Sequence, residues 1–362
     1  MACTQGCLIR YHTVARFSTT ALKRAANSGK DAALKKSVLT TDHFQSSLPV
    51  LKVPALEDTI LRYLKSQEAI LDPEQLKKTT RAAKKFLKIR GPALQKTVME
   101  FARTNTHTSY ITKMWFDMYL SDRRPVVLTH NPVIVFKDTE RGPGYEQPSI
   151  RATNLIHGIL RFAKLLRSNT LKPDVFHLDP RKSDTPFFHQ TMRFVPKSVA
   201  TYAAYMFKAF PLDMSQYPSM FNGTRIPKPS RDELFSESSA KHIAVIHKGQ
   251  TYIFDVMDEH GALISPKRLL ASLEFILSQP DLLHTPGVGT ITAMSRDDAY
   301  VARQRLVRLG NAANLKLIDS AFILLVLDDT DISDPSSLVS IIHAYCFPLR
   351  LFTELGSLFA NM

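Results

Sequence analysis

Apolar positions recur with helical spacing in some stretches of this chain, with strand spacing in others, and as short unbroken runs elsewhere. Residues 48–56 show none of these patterns. Pro49 and Pro54 restrict their predecessors to extended geometry, which predicts an extended lead segment. Residues 57–70 place Ile60, Leu61, Leu64 and Ile70 near one face, which predicts an amphipathic helix. A second helix follows, with Asp72 as cap, Pro73 in the first turn and Gln75 completing a capping box. Gly91-Pro92 is expected to end that region, and the lysines between 77 and 88 to form its solvated face.

Residues 126–136 (VVLTHNPVIVF) predict two short buried strands broken at Asn131-Pro132, followed by a polar loop over 137–148. Helical spacing returns over 150–167 with Leu155, Ile159, Phe162 and Leu166. Residues 242–264 predict an antiparallel meander: HIAVIH, a Lys248-Gly249 turn, QTYIFDVM, and a further turn into ALI. Ser265-Pro266 opens one more helix. Ser295 with Asp298 opens another, for which Gly310 is the expected stop. The unbroken run 321–327 (AFILLVL) suits a central strand buried on both faces. Helices interspersed with strands predict a layered α/β or α+β fold. No internal repeat and no apolar stretch long enough to span a membrane occurs.

Charge changes this picture little. The net charge of +14 is concentrated: residues 1–30 carry five basic and no acidic residues, and residues 62–103 carry eleven basic and four acidic ones. No basic stripe with interleaved aromatics lines the rest of the chain, so the pattern does not predict nucleic-acid binding. An anionic membrane surface or a CoA-type polyanion fits it as well. Arg10, Arg16, Lys23 and Arg24, with Ser18, Thr19 and Thr20 and no acid before Asp31, have the composition of a mitochondrial presequence, expected over 1–30. The alternative is a plain polar terminus. The cysteines are Cys3, Cys7 and Cys346, which predict neither a disulfide framework nor a metal site.

Three segments carry specific motifs: LPVLKVPALEDTILRYL (48–64), HTSYITKMWFDMYL (107–120) and PLDMSQYPSMFNGTRIPKPSRDEL (211–234). Together they resemble the carnitine/choline acyltransferase family, over roughly residues 40–335. The resemblance implies a chloramphenicol-acetyltransferase-like lobe with N-terminal helices and a mixed sheet. It also implies long-chain acyl transfer between carnitine and CoA in fatty-acid oxidation. Carnitine and CoA would be substrates, and no cofactor or metal is expected. In the family a histidine in a His-x-x-x-Asp-Gly element deprotonates the carnitine hydroxyl or the CoA thiol for attack on the acyl carbonyl. This chain has twelve histidines and no Asp-Gly dipeptide, so no catalytic residue is assigned.

The resemblance stops near residue 335, before the segment that bears that histidine in relatives, and 336–362 matches nothing recognised. The expectation is therefore an incomplete lobe, a truncated form inactive by itself. The alternative is a non-catalytic, membrane-associated binding or regulatory fragment that pairs with the full-length enzyme.

Two clusters remain. Trp115 and Tyr119 share a face if WFDMYL is helical. Spacing alone reads them as core. The resemblance places them near the substrate tunnel, where aromatic faces attract a trimethylammonium cation. Residues 186–210 concentrate Phe187, Phe188, Phe194, Tyr202, Tyr205 and Phe207 around Arg193, Lys197 and Lys208. These are either a buried helix pair or an amphipathic element in a membrane interface. The resemblance implies the second, an insert docking peripherally on the matrix side of the mitochondrial inner membrane. Asp213, Arg225, Arg231 and Asp232 read as structural charges, with Asp213 expected to pair with an arginine.

Overall fold

A computed structural model describes residues 36–105, 108–125, 143–145, 147–280 and 287–328. Residues 1–30, where a presequence is expected, the strands expected over 126–136, most of the loop after them, and residues 336–362 lie outside the described residues, as do His107, His130, His284 and His343. Two compact units divide the chain: Leu48–Tyr119, and Met1–Ser47 with Leu120–Met362.

The smaller unit is helical. After an extended lead come α1 (Leu56–Gln67), α2 (Pro73–Ile89), α3 (Gly91–Thr104) and α4 (Tyr110–Ser121), the unit boundary falling between Tyr119 and Leu120. Asp72 caps α2 as expected, accepting from the N–H groups of Glu74 and Gln75 at 2.9 Å each. Two expectations are corrected. The first helix stops at Gln67, and Leu61 and Ile70 are exposed; Leu56, Ile60, Leu64 and Gln67 form the half-buried stripe instead. Gly91-Pro92 does not end the helical region but opens α3, because a proline in the first turn removes only an N–H that has no helical acceptor. Gly91 is needed for packing: a Cβ there would lie 2.6 Å from Leu56 Cδ2 and 3.0 Å from the Phe86 carbonyl oxygen.

The larger unit is built on α5 (Pro148–Arg167) and a three-stranded sheet. In α5 the buried stripe is Ala152, Ile156, Ile159, Leu160, Phe162 and Ala163; Leu155, expected in that stripe, is exposed on its rim. Next come β1 (Val175–His177), α6 (Pro180–Ser183), α7 (Pro186–Phe194), α8 (Ala200–Met206) and β2 (Ala209–Pro211), with β1 and β2 pairing antiparallel. β3 (Gly223–Ile226) and β4 (Glu233–Ser236) form a hairpin.

The sheet combines β5 (His242–His247), β6 (Gln250–Asp255) and β7 (Leu324–Leu327) in the order β6-β5-β7. Lys248 and Gly249 both have positive φ, 48° and 73°, the geometry a two-residue hairpin demands. The expected third meander strand is a single bridge between Met257 and Leu263. β7 pairs parallel with β5 and lies at a sheet edge among the described residues. The central place belongs to β5, all six of whose residues are buried.

α9 (Pro266–Leu277) buries Leu269, Leu273 and Ile276 against the same core as α5 and the sheet. α10 (Arg296–Leu306) is capped by Ser295, as expected. Gly310, at φ 88°, breaks the helix, but α11 (Ala312–Ser320) resumes directly after it. The result is a mixed α/β fold with small sheets.

Candidate functional site

An exposed apolar surface lies on the segment from β1 to β2. The apolar N-terminal stretch of α7 is divided by helix geometry. Phe187 is 69% exposed, whereas the adjacent Phe188 is fully buried with Met192, Ala200, Ala204, Ala209, Leu39 and Phe44. Consecutive helical residues point about 100° apart, so one phenylalanine must face inward. Phe188 is thus a core residue, and its expected membrane contact is withdrawn. Phe194 and Tyr202 are exposed, at 83% and 58%, while Tyr205 and Phe207 are half-buried supports.

Ring contacts join these residues into patches. Phe187 lies 6.1 Å from Phe207, and Tyr205 lies 6.1 Å from Tyr202 and 5.4 Å from Phe210. Register places Phe176 of β1 opposite Phe210 of β2. Exposed Phe176, Leu178 and Met206 extend the surface and were not singled out in the sequence. The alternation in VFHL, with Phe176 and Leu178 outward and His177 inward, was the available signal.

The same segment holds a polar cluster. His177 Nδ1 lies 2.9 Å from Ser183 Oγ. The serine hydroxyl donates to the Asp179 carbonyl at 2.9 Å, so it is the imidazole N–H that donates to the serine oxygen. That polarity is the reverse of what an activated nucleophile needs. His189 Nε2 pairs with Asp184 at 2.6 Å, and His177 Nε2, buried without a hydrogen-bond partner, is 3.8 Å from the same carboxylate. Burial pushes the His177 imidazole down from its ordinary value, against the pull of Asp184. Partial burial raises the Asp184 carboxyl, but His189 and Lys172 outweigh it and hold it below its usual range.

The sheet histidines are structural. His242 Nε2 meets the Leu317 carbonyl at 2.7 Å, and His247 Nδ1 meets the Leu327 carbonyl at 3.1 Å.

Of the charges in 211–234, Asp232 is buried among three arginines, the nearby Arg225 and the distant Arg123 and Arg296. Arg225 Nε and Arg296 Nε donate to Oδ2 at 2.5 and 2.6 Å, and Arg123 donates to Oδ1 at 3.0 Å. Arg123 also bridges to Asp297 at 2.8 Å. Burial pushes the Arg296 guanidinium down despite Asp232. The cluster ties the β3–β4 hairpin to the chain around 123 and to α10. Asp213 does not pair with an arginine: its carboxylate accepts from Gln45 Nε2 at 2.7 Å and from the backbone and hydroxyl of Ser215. A carboxylate at the surface is satisfied by near neutral donors and needs no counter-ion.

In the helical unit, Trp115 and Tyr119 share a face of α4, with ring centroids 5.2 Å apart and planes inclined at 46°. Both are exposed rather than core. Trp115 therefore offers a free aromatic face. Among the described residues no cluster of metal-ligating side chains occurs, and no helix is long and apolar enough to cross a membrane.

A family model for choline/carnitine O-acyltransferases matches residues 51–346, reaching past residue 335. The chain is 44% identical over 310 residues to human mitochondrial carnitine O-palmitoyltransferase 2, covering 86% of this chain and 47% of that protein. It is 44% identical to the Xenopus tropicalis protein of the same name, over 89% of this chain and 49% of that one. Identity to the muscle isoform of carnitine O-palmitoyltransferase 1 from Bos taurus is 29%, over 84% of this chain and 36% of that protein. The chain spans about half the length of the first two relatives. It belongs to the choline/carnitine O-acyltransferase family.

Proposed function

We propose that this member of the family carries part of the machinery for long-chain acyl transfer between carnitine and CoA, both as substrates. We further propose that these 362 residues do not catalyse the transfer by themselves. The observation that carries this second reading is the absence of any His-x-x-x-Asp-Gly element from the sequence. It is supported by the histidines described above, which are engaged in backbone contacts, a serine or an ion pair.

The names of its relatives support a mitochondrial setting. In this reading residues 1–30 are the presequence, the acyltransferase portion, expected over 40–335, extends to about residue 346 where the family match ends, and the residues after it are a tail of separate character. Trp115 and Tyr119 would meet the trimethylammonium end of carnitine through their ring faces. Phe187, Phe194 and Tyr202, supported by Tyr205 and Phe207, would seat the 186–210 segment on the matrix side of the inner membrane. Exposed apolar surface of this density favours such an interface over solvent.

The test is carnitine-dependent release of CoA from palmitoyl-CoA by the purified chain, with its fold verified by circular dichroism. No release from folded protein is expected. Carnitine-dependent turnover would sink the inactivity reading. The exposed aromatic face also favours a second role, a membrane-associated binding or regulatory fragment that pairs with full-length enzyme. Co-purification of the two chains tests it, and their independent elution would remove it.

A further inference from the structure

The helical unit holds a concentrated charged surface on one face of α2. α2 (PEQLKKTTRAAKKFLKI) contains six cations, Lys77, Lys78, Arg81, Lys84, Lys85 and Lys88, and one acid, Glu74. At about 100° per residue the six cations fall within an arc of roughly 120°, all pointing away from the opposite face. That opposite face, with Leu76, Thr80, Ala83, Phe86 and Leu87, is turned inward and partly or fully buried. All six cations are exposed. Lys78 pairs with Glu74 at 3.0 Å, in an ion pair open to solvent; the other five make no ion pair or hydrogen bond among the described residues. Unpaired like charges on adjacent turns repel one another. The face is therefore less stable than a mixed one until an anionic surface covers it.

We propose that this face of α2 is an electrostatic docking surface for an anionic phospholipid bilayer, which it meets without inserting. It rests on the peripheral-membrane reading for its partner, but on different residues and a different force. The apolar side of α2 is already used inside its own unit, so the helix has no free apolar face to bury in lipid. The cationic arc contains no aromatic side chain on which a base would stack, which argues against single-stranded nucleic acid. Five of the six cations are lysines, flexible point charges that suit a diffuse headgroup layer better than the fixed geometry Arg forks read. Binding should therefore need anionic lipid and fall steeply with salt.

The experiment measures co-sedimentation of the full chain with vesicles of phosphatidylcholine alone and of equal parts phosphatidylcholine and phosphatidylglycerol, at low and high salt. One variant carries Lys77→Gln, Arg81→Gln, Lys84→Gln and Lys88→Gln, exposed positions at which glutamine should keep the helix content, checked by circular dichroism. A second carries Phe187→Ser, Phe194→Ser and Tyr202→Ser. The four-glutamine variant is expected to lose at least about tenfold in affinity for the mixed vesicles at low salt, since each cation near such a surface contributes several-fold. It should bind neutral vesicles as the parent does. The serine variant should keep the salt-dependent preference for mixed vesicles, whatever becomes of its binding to neutral ones.

Equal binding of mixed vesicles by parent and four-glutamine variant overturns the inference, even if the serine variant loses binding and the aromatic reading survives. A parent that does not prefer mixed over neutral vesicles overturns it too. So does tighter binding of the same lysines to duplex DNA than to mixed vesicles at equal salt, which would make the face a nucleic-acid surface.

Discussion

Asp232 and Arg296 form an ion pair almost wholly removed from water, with Arg296 Nε 2.6 Å from Oδ2 and side chains 0% and 5% exposed. The same carboxylate also receives Arg225 and Arg123. One buried anion thus holds three cations, and its loss leaves uncompensated charge rather than a mere gap. Asp232→Ala is expected to destabilise the larger unit by about 3–5 kcal/mol, read by urea unfolding. A loss under about 1 kcal/mol would mean that water or Asp297 already satisfies the arginines.

Asn222 stands at φ 58°, buried, and makes three side-chain contacts. Its oxygen accepts from Arg167 at 2.7 Å, and its amide donates to the carbonyls of Ala240 and Ser320 at 3.1 Å each. Asn222→Ala loses all three and keeps a left-handed backbone that alanine resists. Asn222→Gly loses the contacts but accepts the backbone. Both should destabilise, and alanine by about 1 kcal/mol more than glycine. Equal losses in thermal or urea melts would show that side-chain contacts alone matter there.

Phe188 and Phe194 offer a matched pair in one helix. Phe188→Ala opens a cavity in a packed cluster and is expected to cost about 3–5 kcal/mol. Phe194→Ala removes an exposed ring and should change stability by no more than about 0.5 kcal/mol. If Phe194 seats the segment on lipid, only its loss should weaken vesicle binding at unchanged stability.

His177 gives the molecule an acid-sensitive point. Burial lowers its folded-state value below the ordinary value of about 6.5, so the unfolded chain binds the extra proton more readily. Its contribution is fully present above that ordinary value and is lost as pH falls from there through the folded value. The parent should thus lose stability below about pH 6.5, and His177→Gln should lose less over the same window. A proton-NMR titration placing the His177 midpoint above its ordinary value would contradict this sign.

Much of the local structure was legible from residue order. The caps at Asp72, Ser265 and Ser295 and the Lys248-Gly249 turn all form as expected. Each depends on hydrogen bonds and dihedrals that close within about four residues, so nothing distant can easily override them. The motif resemblance also pointed to the family that the model match establishes. The segregation of lysines on α2 was equally visible, because helical periodicity alone places them on one side.

Other features had no local determinant. Gly91-Pro92 serves equally as a stop or a start; in the fold it opens α3, with Gly91 packed closely against Leu56 and Phe86. Phe187 and Phe188 are chemically identical, and what buries one of them is a cluster drawn from Leu39 to Ala209. Run 321–327 is as apolar as a central strand, yet among the described residues β5 takes the centre, pairing with both β6 and β7. Asp232 collects arginines 123, 225 and 296, a set no spacing rule assembles. Short-range hydrogen bonding and periodicity thus determined the elements and their caps. Burial and charge pairing belong to residues far apart in the chain, so only the packed tertiary structure decided which side chains became core, ion pair or exposed surface.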